Sequence, residues 1–345
     1  MTAPRITLRH LAHMLDLSPT TVSRALNGYP EVGARTRERV VETARQIGYV
    51  PDRNAARLAH GVAGAFGIVF PAASERLIDP LFAEFIGGVA DFAAGVGVDI
   101  TLHAVPPEEE VDAYRRAIAQ RSVDGFILST PLVEDPRIAV LNDLDVPFVV
   151  HGRADVAKPY AWLDIDNRDG FERAARLLIE HGHTRVAFLG GARTLTYTRD
   201  RLQGAQAGLA AGGVQLLPDM IFECPMTEQM GYRIALDTLR QPPETRPSAF
   251  LCSSIFLALG LQRGARELGL EIPRDISIIA HDDRTPYLRA EYLAPSLTAT
   301  QSSIRDAGRR VAELLQSRIK DTPIAQLQEE WPVDLVLRDS VARIA

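Results

Sequence analysis

Near the start of the chain, apolar residues recur at helical spacing in three short runs, each bounded by cap or turn residues. Leu8, Leu11, Ala12 and Leu15 share one face of a helix over 8–15, with Thr7 as its N-cap. Ser18 and Pro19 open a second helix that runs to about residue 26 and turns Val22, Ala25 and Leu26 inward. Asn27-Gly28-Tyr29-Pro30 marks a turn. A third helix, about 35–47, places Val40, Ala44 and Ile47 inside and stops at Gly48. Two short helices across a tight turn, then a supporting helix, follow helix-turn-helix grammar. Periodicity alone still favours an ordinary three-helix bundle with a polar face.

After a Gly-Val-Ala-Gly link at 61–64 the pattern changes. Strand-like runs at 66–70, 98–103, 125–129 and 148–151 are followed by a second set at 161–165, 185–189, 249–252 and 277–281. Amphipathic stretches near 81–95, 108–120, 135–144, 170–181, 198–211, 227–240 and 255–268 lie between them. Strands alternating with helices predict an α/β fold of parallel sheets, and two sets predict two lobes.

Charge sharpens the division. The net charge of −6 argues weakly against nucleic acid as a partner of the whole surface. Residues 1–60, however, hold nine arginines against five acids, so a basic head precedes an acidic body. A hydrophobic share of 46% and a charged share of 24% exclude global disorder. No apolar run is long enough for a membrane span, and no signal-peptide core opens the chain, so the expectation is cytoplasmic. Two cysteines, Cys224 and Cys252, make neither a disulfide framework nor a zinc site.

The string Leu17-Ser18-Pro19-Thr20-Thr21-Val22-Ser23-Arg24-Ala25-Leu26-Asn27-Gly28 decides the reading of the head. With Thr36-Arg37-Glu38-Arg39-Val40, Gly48-Tyr49-Val50-Pro51-Asp52 and Asn54-Ala55-Ala56-Arg57-Leu58, it closely resembles the lac repressor family of bacterial transcription regulators. The resemblance implies that Pro19, Thr20 and Arg24 read base edges in the major groove. It implies phosphate positioning by Thr7, Ser18, Thr21, Ser23 and Asn27. It also implies a hinge segment with Asn54 and Leu58 on DNA, Leu58 wedging into the minor groove. Pro19 departs from the hydrogen-bonding residue often found there and offers only apolar contact.

The body resembles the same family's effector core, which is similar to periplasmic sugar-binding proteins. Its anchors are Asp166-Asn167 with Gly170, the run from Gly182 to Leu189, Asp275 to Ile279, His281-Asp282-Asp283 and Pro295-Ser296-Leu297-Thr298. The fold this implies is a helix-turn-helix three-helix head plus a periplasmic-binding-protein-like core of two doubly wound parallel-sheet lobes. The expected divisions are 1–52 for the head and 53–64 for hinge helix and linker. Residues 65–163 with 292–321 would form the first lobe, and 164–291 with 322–345 the second. The chain would cross between lobes near 163–164, 291–292 and 320–322. The resemblance points to Phe82, Ser129, His151, Arg201, Ser254 and Asp282 as effector contacts, with Ser302 at a further matching position. Tyr197, Trp162 and Tyr287 are, with Phe82, candidates either for stacking on a sugar ring or for the core. Ser254-Ile255 and Ala280-His281 stand where the family often has Asn-Asp and Gly-Tyr or Gly-Phe, and His151 where it often has Asp. The pattern Ala-Leu-Asn-Gly-Tyr-Pro-Glu-Val with Val-Val-His-Gly-Arg looks most like regulators of α-glucoside use.

An enzyme is the rival reading. Gly190-Gly191 follows a strand, but no dinucleotide or Walker pattern continues from it. His281-Asp282-Asp283 alternate sides in a strand and cannot ligate one metal easily. No serine sits in a nucleophile elbow. A transport receptor would need a signal peptide and would have no use for the basic head. The expectation is therefore a homodimeric repressor of palindromic operator double-stranded DNA, with a small sugar-like effector, no cofactor, no metal, no catalytic residue and no membrane partner.

Overall fold

The computed structural model describes residues 6–26, 28–49, 62–72 and 79–344. The chain divides between Ala63 and Gly64 into two compact units.

The first unit holds α1 (Leu8–Leu15), α2 (Pro19–Leu26) and α3 (Ala34–Ile47). Each boundary has a local cause. The Thr7 hydroxyl accepts from the His10 amide at 3.3 Å and caps α1. Asp16, in the left-handed region with φ 52°, ends it. Ser18 Oγ accepts from the Thr21 amide at 3.0 Å, and Pro19 at the first position of α2 sacrifices no donor. Gly48, with φ 70°, stops α3. Leu11, Leu15, Val22, Ala25, Val32, Val40 and Ala44 form one small core. The Arg37 guanidinium donates to the Tyr29 carbonyl at 2.7 Å, and Arg39 donates to the Leu15 carbonyl. These two bonds tie α3 to the turns between the helices.

The second unit carries two six-stranded sheets. The first is built from β1 (Ala65–Pro71), β2 (Asp99–Val105), β3 (Gly125–Ser129), β4 (Phe148–His151) and β5 (Ala161–Ile165). Between them run α4 (Pro80–Val96), α5 (Glu110–Ala119) and α6 (Pro136–Asp143). The second holds β6 (Val186–Gly190), β7 (Ile221–Glu223), β8 (Ala249–Cys252), β9 (Ser277–Asp282) and β10 (Thr298–Gln301). Its helices are α7 (Asn167–Glu180), α8 (Thr196–Ala211), α9 (Glu228–Leu239) and α10 (Ile255–Glu267). A long helix α11 (Ile304–Ile319) and two short strands, β11 (Gln328–Trp331) and β12 (Asp334–Val336), finish the chain. The strand orders are β11-β5-β4-β3-β1-β2 and β12-β10-β9-β8-β6-β7. Every pairing is parallel except β10 with β12. The inner strands are buried on both faces, as parallel strands sandwiched by helices must be. The expected doubly wound α/β architecture in two lobes is therefore what the chain adopts.

Helix pairs flank the sheets at backbone contact. A Cβ added at Gly88 of α4 would lie 1.9 Å from the Arg305 carbonyl of α11. At Gly204 of α8 it would lie 2.1 Å from the Arg168 carbonyl of α7.

All three expected crossings are displaced. The first lies after Ile165, where β5 passes to α7, so Asp164 and Ile165, expected in the second lobe, belong to the first sheet. The second is not at 291–292: Thr298–Gln301 pairs parallel with β9, so the chain stays in the second sheet until Ser302–Ser303. The third is not at 320–322. Gln328–Trp331 pairs parallel with β5 in the first sheet, and the crossing falls between Trp331 and Asp334. The cause is non-local: β10 and β11 are four residues each and lack the apolar run that marks a buried strand, so only their pairing partners assign them. The pattern of α11, with Ala307, Val311, Ala312, Leu314 and Leu315 inward, is helical in the sequence and simply extends the expected set.

Candidate functional site

In the first unit, Pro19, Thr20 and Arg24 are exposed on α2, with Thr21 and Ser23 partly exposed beside them. Thr20 and Arg24 stand four residues apart on one edge of the helix, so one short surface offers a hydroxyl and a guanidinium. Arg24 forms no ion pair among the described residues. Ser18 Oγ and Thr21 Oγ1 are 2.8 Å apart, so both hydroxyls are held at the helix start, where amides point outward. Thr7 is exposed at the start of α1. Asn27, Asn54 and Leu58 lie outside the described residues.

In the second unit, the carboxyl ends of strands from both sheets converge on a cavity of about 270 Å³. Ligand sites form at this place because strand ends and helix starts leave loops free to carry function. Ser129 ends β3 and His151 ends β4; Asp164 and Ile165 close β5. Ser253 follows β8, Asp283 follows β9 and Ser302 follows β10. Phe82 and Phe85 of α4 and Tyr197 of α8 supply apolar walls.

Phe82, Ser129, His151 and Arg201 line this cavity, as does Ser302, and of the stacking candidates Phe82 and Tyr197 reach it. Ser254 and Asp282 do not. Ser254 caps α10 by accepting from the Phe256 amide at 3.2 Å. Asp282 is 0% exposed, and its oxygens accept from the amides of Arg284 at 2.8 Å and Ala290 at 2.9 Å and from Gln301 at 3.1 Å. It is a fold residue. Each expectation misses by one position, because side chains alternate along a strand and the neighbour faces the other way. Ser253 and Asp283 are the lining residues. Trp162 packs under Arg153 at 5.0 Å, and Tyr287 is 64% exposed; neither lines the cavity. Phe85, Asp164, Asn167 and Thr196 line it and were not foreseen. Asn167 belongs to the Asp-Asn anchor and could have been found from it.

Arg201 is 6% exposed. Its Nε donates to Asn167 Oδ1 at 2.7 Å and its Nη1 to the Ser253 carbonyl at 2.6 Å. Its Nη2 makes no hydrogen bond within the described residues. The guanidinium lies 5.3 Å from the Tyr197 ring centre. Burial lowers its affinity for the proton, against the pull of Asp283. Burial likewise pushes His151 down to about 4, so this imidazole is neutral at neutral pH. It stacks on Phe85 with ring centres 5.0 Å apart. His281 is buried behind the wall, 3.0 Å from Thr300 Oγ1, 3.0 Å from Ser302 Oγ and 3.5 Å from Asp283 Oδ1. Burial opposes the charge of Asp283, but His281 and Arg201 outweigh it and hold the carboxyl below its ordinary range. Ser253 Oγ is buried with no hydrogen-bond partner among the described residues. Such a group costs stability unless something supplies a partner.

One wall is braced from behind. Arg137 is 7% exposed and donates to Asp135 at 2.6 Å, to Glu110 at 3.1 Å and to the Thr130 carbonyl at 3.3 Å. Asp135 in turn accepts from the Leu132 amide at 3.0 Å. Thr130 has φ 49°, a left-handed conformation that a β-branched residue adopts only when its surroundings impose it. From this braced turn the Val133 amide donates to Thr194 at 2.9 Å, and Pro131 accepts from the Thr196 amide at 3.2 Å. These bonds join the two lobes beside the cavity.

Among the described residues no group of His, Cys, Asp and Glu is placed to hold a metal ion, and no helix is long and apolar enough to cross a membrane.

Residues 7–52 match the bacterial regulatory proteins of the lacI family, and residues 175–341 match the periplasmic binding protein-like domain. The transcriptional regulator AglR of Rhizobium meliloti (strain 1021) is 43% identical over 336 residues, which span 97% of this chain and 94% of AglR. The lac repressor dimer bound to operator and the anti-inducer ONPF superposes with a TM-score of 0.85 at 25% identity, covering 98% of this chain and 99% of the repressor. The complex of the transcriptional regulator CelR with cellobiose gives a TM-score of 0.70 at 27% identity, covering 97% of this chain and all of CelR. A capped helix-turn-helix head, a two-lobed core and these full-length matches give one conclusion: the chain belongs to the lacI family of bacterial regulatory proteins and is a DNA-binding transcriptional regulator, not an enzyme.

Proposed function

We propose that the protein is a homodimeric repressor that binds a palindromic operator through α2 of each head and is released from it by an α-glucoside in the interlobe cavity. The observation that carries the reading is the cavity itself. It lies at the strand ends of both lobes and combines aromatic walls with a neutral His151, a buried Ser253 hydroxyl without a partner among the described residues and an Arg201 with one nitrogen uncommitted among them. A sugar needs this mixture: flat apolar contact for ring faces, and donors and acceptors for hydroxyls. The resemblance to regulators of α-glucoside use and the 43% identity to AglR support the choice of sugar. The CelR–cellobiose complex supports a saccharide in such a core.

On the DNA side, Pro19, Thr20 and Arg24 read base edges, while Thr7, Ser18, Thr21, Ser23 and Asn27 meet phosphates. Asn54 and Leu58 act at the centre of the operator. Two-fold symmetry of the dimer mirrors the two half-sites. The effector acts by preferring a lobe arrangement that operator-bound heads disfavour, which requires different affinities for the two states.

Arg24→Ala tests the head. Binding to a randomised set of half-sites should lose preference at one base pair per half-site, worth about 1–3 kcal/mol. Sugar affinity should stay unchanged. An unaltered sequence preference would remove Arg24 from the reading surface.

A further inference from the structure

The cavity contains a carboxyl group that the fold leaves half used. Asp164 is 6% exposed and lines the cavity at the end of β5. Its Oδ1 accepts from the Ile165 amide at 2.8 Å. Its second oxygen has no hydrogen-bond partner and no ion pair among the described residues. The two arginines that act on it at a distance are committed elsewhere. Arg153 is paired with Glu330 at 3.1 Å, and Arg201 is bound to Asn167 and Ser253. A second carboxylate, Asp283, lines the same cavity, and among the described residues no lysine does.

We propose that Asp164 is a specificity-determining residue of the cavity: it selects a neutral polyhydroxylated sugar and rejects the phosphorylated or carboxylated form of the same sugar. The inference rests on the reading of this cavity as the effector site and adds the charge class of the effector. A carboxylate oxygen only accepts, and sugar hydroxyls donate, so the open oxygen of Asp164 is satisfied by a hydroxyl. An anionic substituent cannot donate to it and meets like charge in a poorly screened pocket. Arg201 offers one uncommitted nitrogen, too little to form the bidentate clamp that phosphate recognition uses. Asp283 adds to the same negative field. A site built for a phosphosugar would place uncommitted cations where this one places carboxyl groups.

The test uses the full chain and three matched probes at pH 8: methyl α-glucoside, its 6-phosphate, and methyl α-glucuronide, with maltose and trehalose as larger neutral sugars. Calorimetric titration of the wild type should show binding of at least one neutral glucoside, with the anionic probes at least 100-fold weaker. In Asp164→Asn, neutral-sugar affinity should fall tenfold or more while the anionic probes hold or gain. The discrimination should then shrink to tenfold or less. Asp164→Glu keeps the charge and should keep the discrimination, which also guards against a variant that merely misfolds. Equal wild-type affinity for the 6-phosphate, or full discrimination retained in a folded Asp164→Asn, would overturn the inference. Tight binding of an anionic probe alone would overturn it while leaving a sugar effector in place. Failure of every probe, neutral and anionic, would overturn both the inference and the sugar reading beneath it.

Discussion

Asp164 also makes the stability of the protein depend on pH in a way that one substitution isolates. Burial raises its carboxyl from the ordinary 3.8 to about 7, against the lowering effect of the Ile165 amide and Arg153. The folded chain therefore holds this proton more tightly than the unfolded chain does. The favourable contribution is fully present below pH 3.8 and is lost as pH rises through about 7. At about 1.4 kcal/mol per pH unit, the whole effect is roughly 4 kcal/mol, and ~2.5 kcal/mol of it disappears between pH 5 and pH 8. Asp164→Asn keeps the shape and an oxygen for the Ile165 amide but cannot ionise. Urea unfolding at one fixed protein concentration, measured for both proteins at pH 5, 6, 7 and 8, gives the difference directly. His151 and His183, both pushed down to about 4 by burial, lose their contribution at the acid end, but equally in both proteins. The variant should gain on the wild type by about 2.5 kcal/mol across this range and level off above pH 7. A flat difference, or a variant that loses ground as pH rises, would refute the assignment of a buried, unpaired carboxyl.

Gly204→Ala should lower the thermal midpoint sharply. Its Cβ would meet the Arg168 carbonyl at 2.1 Å, so α7 and α8 must move apart at a cost of about 1–3 kcal/mol or more. Arg137→Met leaves Asp135 buried without its cation and should cost about 3–5 kcal/mol in denaturant unfolding. Because the same arginine holds the left-handed Thr130 in the cavity wall, sugar affinity should fall as well. Unchanged sugar affinity in a folded Arg137→Met would separate the brace from the site.

The head could be read from the sequence because its signals are local. Thr7, Ser18, Pro19 and Gly48 cap or end helices by contacts within a few residues, and those contacts are the ones observed. The two-lobed sheet architecture was readable for a similar reason: β1 to β6, β8 and β9 each carry an apolar run, whereas the short β7, β10, β11 and β12 do not. Lobe membership near the end of the chain was not, because Thr298–Gln301 and Gln328–Trp331 are assigned only by pairing with β9 and β5. The cavity was half visible. Phe82, Ser129, His151 and Arg201 line the cavity, whereas Ser254 and Asp282 give way there to their neighbours Ser253 and Asp283. At a strand end a shift of one residue exchanges the two faces, and the sequence does not mark which residue is the last to pair. In the sequence Asp164 reads as a crossing point rather than a wall, since nothing in a Leu-Asp-Ile run distinguishes a surface acid from one facing a cavity.

In the proposed mechanism, occupation of the interlobe cavity and binding of operator by the head are coupled. Coupling of this kind is reciprocal, so one factor must appear twice. The direct measurement is the affinity of the full chain for operator with and without a saturating neutral α-glucoside, together with its sugar affinity with and without operator. Sugar should weaken operator binding at least tenfold, and operator should weaken sugar binding by the same factor. Operator affinity that is indifferent to a sugar bound in the cavity would contradict the coupling.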